Sequence, residues 1–240
     1  MILFLTSSPC IIGAPRAILN PANGFVDRIR EVLPEWPRVL FVSSDPENHD
    51  MTCGFGNDMV RAFGEFGIPF GGFHVLDGSN AEDAPFLVAT SDLIILMGGH
   101  VPTQNQFLNE IGLRELLEDY EGVVMGISAG SMNCADEVYA QPEEPGEGID
   151  PEYEKFIPGL GLTDLNILPH YQQVKDNILD DLRLYEDITF ADSMERVFYA
   201  LVDGSYVYQD EDGATIFGES YCIHDGIMEW LTKQGECWEL

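Results

Sequence analysis

The chain has 240 residues, 45% of them hydrophobic, enough for one large α/β domain with a sizeable core. Its 42 acidic residues against 11 basic ones give a formal net charge of -31, and long-range repulsion sets nucleic acid and anionic membrane surfaces against it as partners. The five cysteines, at 10, 53, 134, 222 and 237, are odd in number, scattered and free of any Cys-x-x-Cys pair, so reduced thiols in a cytoplasmic protein are expected rather than a disulfide scaffold.

Residues 1–6 read as a buried first strand. The apolar start lacks a basic flank and breaks at Thr6-Ser7-Ser8-Pro9, so it is not expected to be a signal peptide, and no apolar run is long enough to span a bilayer. Residues 7–23 form a loop rich in Pro, Gly and Ser. Phe25, Val26, Ile29, Val32 and Leu33 carry helical spacing that stops at Pro34. Residues 38–42 are a second buried strand opening into Ser43-Ser44-Asp45-Pro46. Asn57 or Asp58 is expected to cap a helix that runs to Glu65 and ends at Gly67. Residues 73–76 are a third strand, 80–89 a short helix, and 93–97 a strong fourth strand followed by Gly98-Gly99-His100. A long helix is expected from Thr103 or Asn105 through Tyr120, and 123–127 is a fifth strand. This alternation predicts a three-layer α/β fold: a mostly parallel twisted sheet, right-handed crossovers and helices on both faces, with ligands at the carboxyl ends of the strands.

Downstream, residues 138–160 are acidic and rich in Pro and Gly. They are expected to form a solvated loop, with a lid as the alternative. An extended stretch, 161–168, delivers Pro169-His170-Tyr171, and 174–184 is expected to be helical with Ile178, Leu179 and Leu182 inside. The remainder turns to β character at 196–201, 205–208, 213–217, 221–223 and 228–231, with hairpin-type turns at Asp203-Gly204 and Asp212-Gly213.

The fifth strand runs into Gly126-Ile127-Ser128-Ala129-Gly130, a Gly-x-Ser-x-Gly signature. Such a turn exposes a serine at the top of a sheet and offers the next amide, that of Ala129, to an oxyanion. By itself the motif is common and is equally a plain Gly/Ser-rich αβ turn. Gly98-Gly99 falls at the same edge, which favours the functional reading.

A serine nucleophile needs a base and an orienting acid. His74 lies in the third strand and His100 lines the pocket or stands exposed. His49 lies near Asp50 and Cys53, metal-ligand types at a spacing that matches no zinc pattern. Two triads remain: Ser128, His170 and Asp203, or Ser128, Asp203 and His224 in the order of α/β-hydrolase esterases. The Asp225-Gly226 turn argues against His224. A non-catalytic binding module on the same fold is the reading from another class.

Together, Gly-Ile-Ser128-Ala-Gly-Ser, the strand ending in Gly98-Gly99, Asn166-Ile-Leu-Pro-His170-Tyr and Ala200-Leu-Val-Asp203-Gly-Ser-Tyr resemble the aspartyl dipeptidase (dipeptidase E) and cyanophycinase group. The opening Leu5-Thr6-Ser7-Ser8 also fits, and the likeness runs to about residue 220. The resemblance implies a serine peptidase on a class I glutamine amidotransferase-like fold. Ser128 then corresponds to the nucleophile, His170 to the general base and Asp203 to the acid, at a position usually held by glutamate. Gly98 and Gly99, with Ala129, would form the oxyanion-binding edge. It also implies a basic residue downstream of the histidine that reads a substrate carboxylate, for which Arg183 is the candidate and Lys175 the lesser one. No cofactor or metal is expected. The implied partner is a small peptide, an Asp-X dipeptide being one choice, and a homodimer is a candidate assembly.

Overall fold

The computed structural model describes residues 1–240. Five strands lie parallel in one sheet: β1 (Ile2–Thr6), β2 (Arg38–Val42), β3 (Gly72–Leu76), β4 (Leu93–Leu96) and β5 (Val123–Ile127). Between them run α1 (Phe25–Val32), α2 (His49–Glu65), α3 (Ala84–Ala89), α4 (Val101–Glu110) and α5 (Leu113–Leu117), and α6 (Ala129–Met132) follows β5. Beyond α6 come β6 (Glu137–Tyr139), β7 (Phe156–Pro158), β8 (Asn166–Leu168), α7 (Tyr171–Val174), β9 (Ile178–Leu179), β10 (Leu182–Arg183) and α8 (Phe190–Asp192). The chain closes with β11 (Val197–Leu201), β12 (Tyr206–Asp210), β13 (Gly213–Phe217), β14 (Ser220–His224), β15 (Ile227–Thr232) and β16 (Cys237–Glu239).

The main sheet has eight strands in the order β16-β13-β12-β1-β5-β4-β2-β3, the C-terminal three running antiparallel. Alternation along each strand divides the core in two. Leu3, Leu5, Leu40, Val42, Ile94, Leu96 and Val124 pack on one face under α3, α4 and α5. Phe4, Val39, Phe41, Leu93, Ile95, Val123 and Met125 pack on the other under α1 and α2. The strands read as continuous apolar runs because both faces are covered.

A second sheet, β15-β14-β11-β8, matters for the site. β8 and β11 are parallel, with Leu168 opposite Ala200. Their carboxyl ends therefore emerge side by side, one leading to His170 and the other to Asp203.

Four stretches differ from the expectations drawn from sequence. α2 begins at His49, a full two turns before Asn57, because the Asn48 side chain accepts from the Met51 amide at 3.2 Å and caps it there. Its Gly56 is a packing residue, since a Cβ there would stand 3.3 Å from the Phe41 ring. The long helix of 103–120 is broken into α4 and α5 by Gly112, which takes a left-handed φ of 63°. Residues 174–184 do not form a helix. Asp180 and Asp181, at φ 52° and 64°, make the two-residue turn of a β9–β10 hairpin. The 138–160 segment is anchored at its ends: Val138, Tyr139 and Ala140 are buried and β6 pairs with β7.

Candidate active site

Ser128 sits at φ 52°, ψ -115°, between β5 and α6. A non-glycine residue in that region costs about 1–3 kcal/mol and persists only where its surroundings fix it. Here they do. The Ser128 amide donates to the Thr6 carbonyl at 3.0 Å, and the Ser131 hydroxyl donates to the same oxygen at 2.9 Å. The glycines on either side have no room for a side chain: a Cβ on Gly126 would lie 2.5 Å from the Ser131 backbone, and one on Gly130 2.3 Å from the Leu96 carbonyl oxygen. Sequence and geometry therefore meet in a strand–turn–helix with the serine at its apex.

His170, at the end of β8, brings Nε2 to 3.0 Å from Ser128 Oγ, while its Nδ1 lies 2.7 Å from Asp203 Oδ1. Ser7, just after β1, ties both partners. Its hydroxyl donates to Asp203 Oδ1 and accepts from the His170 amide, each at 2.7 Å. The side-chain amides of Gln172 and Gln173 donate to the other oxygen, Asp203 Oδ2. Burial disfavours the charge on Asp203, but the hydrogen bond and charge of His170, with those from Ser7 and Gln173, more than offset it and hold the carboxyl below its ordinary pKa. An ionised Asp203 can only accept, so the imidazole carries its proton on Nδ1 and turns a lone pair on Nε2 toward the serine. Aspartate has sufficient reach here. The sequence points to Ser128 through its Gly-x-Ser-x-Gly turn, to His170 through its place after an extended stretch, and to Asp203, in an Asp-Gly turn, through the family resemblance. Ser7 stands out only within the Leu5-Thr6-Ser7-Ser8 opening, without a role, and Gln172 and Gln173 not at all, since the parts of all three depend on contacts across the fold.

The double glycine lies opposite the serine. A Cβ on Gly98 would be 3.2 Å from that of Ser128, and one on Gly99 2.5 Å from Ser44 Oγ, the hydroxyl that holds the Gly98 carbonyl at 2.7 Å. The Gly99 amide has no acceptor in the protein, and that of Ala129 opens α6, where helix geometry supplies none. Both residues line a pocket of about 290 Å³ with Ser128 and His170. Val101, Met132, Val174, Leu179 and Leu184 give it apolar walls, and Gln141, Asn177 and Glu143 give it polar ones. A larger open depression of about 710 Å³, around Arg38, Asp92 and Gly122, lies at the opposite ends of the strands and contains neither Ser128 nor His170.

Other candidates fall elsewhere. Arg183, expected to read a substrate carboxylate, is on exposed β10 and does not line the pocket. Its guanidinium is held by Asp187 through contacts of 2.6 and 2.9 Å, a pairing visible in the sequence as an i,i+4 ion pair. His224 pairs with Val197 at the end of β11 remote from Asp203, which removes the α/β-hydrolase triad. His100 stands behind the pocket wall. Its ring nitrogens meet Thr103 Oγ1 at 2.7 Å and Glu147 Oε1 at 2.9 Å, and the other Glu147 oxygen accepts from the amides of Glu143 and Glu144. His100, Glu144 and Glu147 could face one ion, but the ring of His100 and both oxygens of Glu147 are already engaged in shaping this wall.

The sequence model of peptidase family S51 matches residues 19–217. The chain belongs to peptidase family S51. It is a serine peptidase, and the same fold recurs in solved relatives. A peptidase from an acI-B1 Actinobacterium superposes with a TM-score of 0.69 at 17% identity, over 100% of this chain and 96% of that one. A protein from Listeria monocytogenes EGD-e, assigned by name to peptidase E, gives 0.61 at 16% identity, over 96% and 98%. At these identities the likeness is one of fold. A search of curated protein sequences finds no match. No helix of this S51 peptidase is long and apolar enough to cross a membrane.

Proposed function

We propose that this S51 peptidase hydrolyses short peptides through an acyl-enzyme on Ser128. The carrying observation is the unbroken line from Asp203 Oδ1 through His170 to Ser128 Oγ, at 2.7 and 3.0 Å, ending on a serine in a strained turn. His170 Nε2 takes the hydroxyl proton as Ser128 attacks the peptide carbonyl. Asp203 keeps the imidazole in its tautomer and offsets the charge it gains. The amides of Gly99 and Ala129 receive the tetrahedral oxyanion, each worth on the order of 3 kcal/mol in such chemistry. His170 then protonates the leaving amine, and water repeats the steps on the ester.

The pocket supports a short substrate, since about 290 Å³ bordered by residues 141–143 and the β9–β10 hairpin is at the lower end of small-ligand sites and suits a dipeptide-sized molecule rather than a long chain. It does not favour aspartate. No lysine or arginine lines it, and Glu143 is the ionisable group beside His170. A neutral or cationic side chain meets those walls without an unpaired buried carboxylate. A fluorophosphonate probe tests the reading: stoichiometric labelling of Ser128, abolished in His170→Ala, is expected, while inert folded protein would make this a binding module.

A further inference from the structure

We propose that Cys53, His49 and Asp77 form a second nucleophilic site, an activated thiol that exchanges with small disulfides and is separate from the peptidase centre. The three come from two elements. His49 is the first residue of α2, Cys53 lies one turn on, and Asp77 follows β3 at the carboxyl edge of the sheet. His49 Nε2 is 3.3 Å from Cys53 Sγ and Nδ1 is 2.6 Å from Asp77 Oδ2. Thiol, imidazole and carboxylate thus stand in the same relation as the hydroxyl, imidazole and carboxylate of the peptidase centre.

The carboxylate is fixed before the histidine reaches it. Asp77 is fully buried, and its Oδ1 is occupied by the Ser79 amide at 2.8 Å and the Ser79 hydroxyl at 2.6 Å. That leaves Oδ2 for the imidazole. Burial works against the charge on Asp77, but the Ser79 bonds and His49 outweigh it and keep the carboxyl below its ordinary pKa. An ionised carboxylate forces the proton of a neutral imidazole onto Nδ1, so Nε2 offers its lone pair to the thiol. His49 is largely exposed and Cys53 partly so, and neither belongs to the peptidase pocket. β3 is three strand positions from β5, about 14 Å at the usual spacing. None of the four remaining cysteines has such a base: Cys134 is fully buried, Cys10 packs against Met59, Cys222 lies half-buried on β14 between Tyr199 and Glu229, and Cys237 is exposed.

In the exchange, His49 Nε2 takes the thiol proton while the sulfur of Cys53 forms a bond to one sulfur of the incoming disulfide. The disulfide's own S–S bond breaks, and its second sulfur leaves as a thiolate that takes the proton back. The disulfide is the only oxidant. Asp45, Glu47 and Asp50 surround the site in sequence, so its partners are disulfides of neutral or positive charge. His49 is the base and Asp77 a positioning residue.

The test uses the full chain. Cystamine at neutral pH, followed by peptide mapping, is expected to place its mixed disulfide on Cys53 at a rate about tenfold or more above that of Cys237. His49→Gln, at a largely exposed position and with an amide that can still donate to Asp77, should bring Cys53 down to the Cys237 rate, with hydrolysis at Ser128 unchanged as the check that the variant is folded. Imidazole nitrogen NMR should show His49 as the Nδ1–H tautomer in the wild type and lose that preference in Asp77→Asn. Equal rates at Cys53 and Cys237, no effect of His49→Gln, or an Nε2–H tautomer in the wild type would each overturn the proposal.

Discussion

Asp203 has two carboxylate oxygens and four side-chain donors aimed at them: Ser7 and His170 at Oδ1, Gln172 and Gln173 at Oδ2. Both oxygens must accept. An asparagine offers one oxygen and one NH₂ group, so whichever way it turns, a donor faces donors. Asp203→Asn should therefore misplace the imidazole proton and lower kcat by about 10⁴-fold, with KM changed far less. Steady-state kinetics on a neutral dipeptide checks this, and a loss under tenfold would show that the acid does not set the tautomer. Lowering the pH adds a second consequence. The folded pKa of Asp203 is depressed, so its contribution to stability is present above the unfolded value of about 4 and is lost as pH falls through the lower folded value. The stability gap between wild type and Asp203→Asn should close in that acid window.

Among the elements, the β9–β10 hairpin and the 141–155 segment act as one cover. The Asp180 carboxylate accepts from the amides of Gly146 at 2.9 Å and Gly148 at 3.0 Å, joining the hairpin turn to the loop across the pocket rim. Asp180→Asn keeps a residue that tolerates a left-handed φ but weakens these charge-assisted bonds. Hydrogen exchange at Gly146 and Gly148 should accelerate by about tenfold, and unchanged exchange would show that the clasp carries no load. This cover was hard to read in the sequence. Ile178, Leu179 and Leu182 are spaced as on a helix, and Asp-Asp is an uncommon two-residue hairpin turn. The strands were legible because burial on both faces leaves uninterrupted apolar runs. The helix limits at His49 and Gly112 were not, because a glycine inside a pattern is either a packing contact or a break, and only its neighbours decide. The nucleophile turn was legible because Gly126 and Gly130 answer to local clashes, whereas the Ser7 clamp bridges 163 residues to His170 and leaves no local mark.

Over the whole molecule the net charge of -31 is spread around few cations. Seven of the eight arginines pair with acids, and the eighth, Arg28, meets the Tyr206 hydroxyl and stacks 3.8 Å above Phe217. The unpaired remainder is acidic and repels itself, a cost that salt screens: the Debye length falls from about 30 Å at 0.01 M to about 10 Å at 0.1 M. Thermal unfolding in sodium chloride across that range should shift upward by about 3 °C or more, equivalent to about 1 kcal/mol for a chain of this size. A downward shift would mean that the ion pairs outweigh the repulsion. The same field acts in the direction of the substrate order proposed above, cationic or neutral side chains ahead of aspartate, since the pocket holds Glu143 and no basic residue.

Ser128 is the residue on which the proposed hydrolysis depends, and turnover of a dipeptide panel, with chelator present and thiols absent, by wild type and Ser128→Ala tests its role most directly. The expected result is turnover by the wild type and a loss of about 10⁴-fold or more in the variant on every substrate cleaved. Wild-type rates from Ser128→Ala would contradict it.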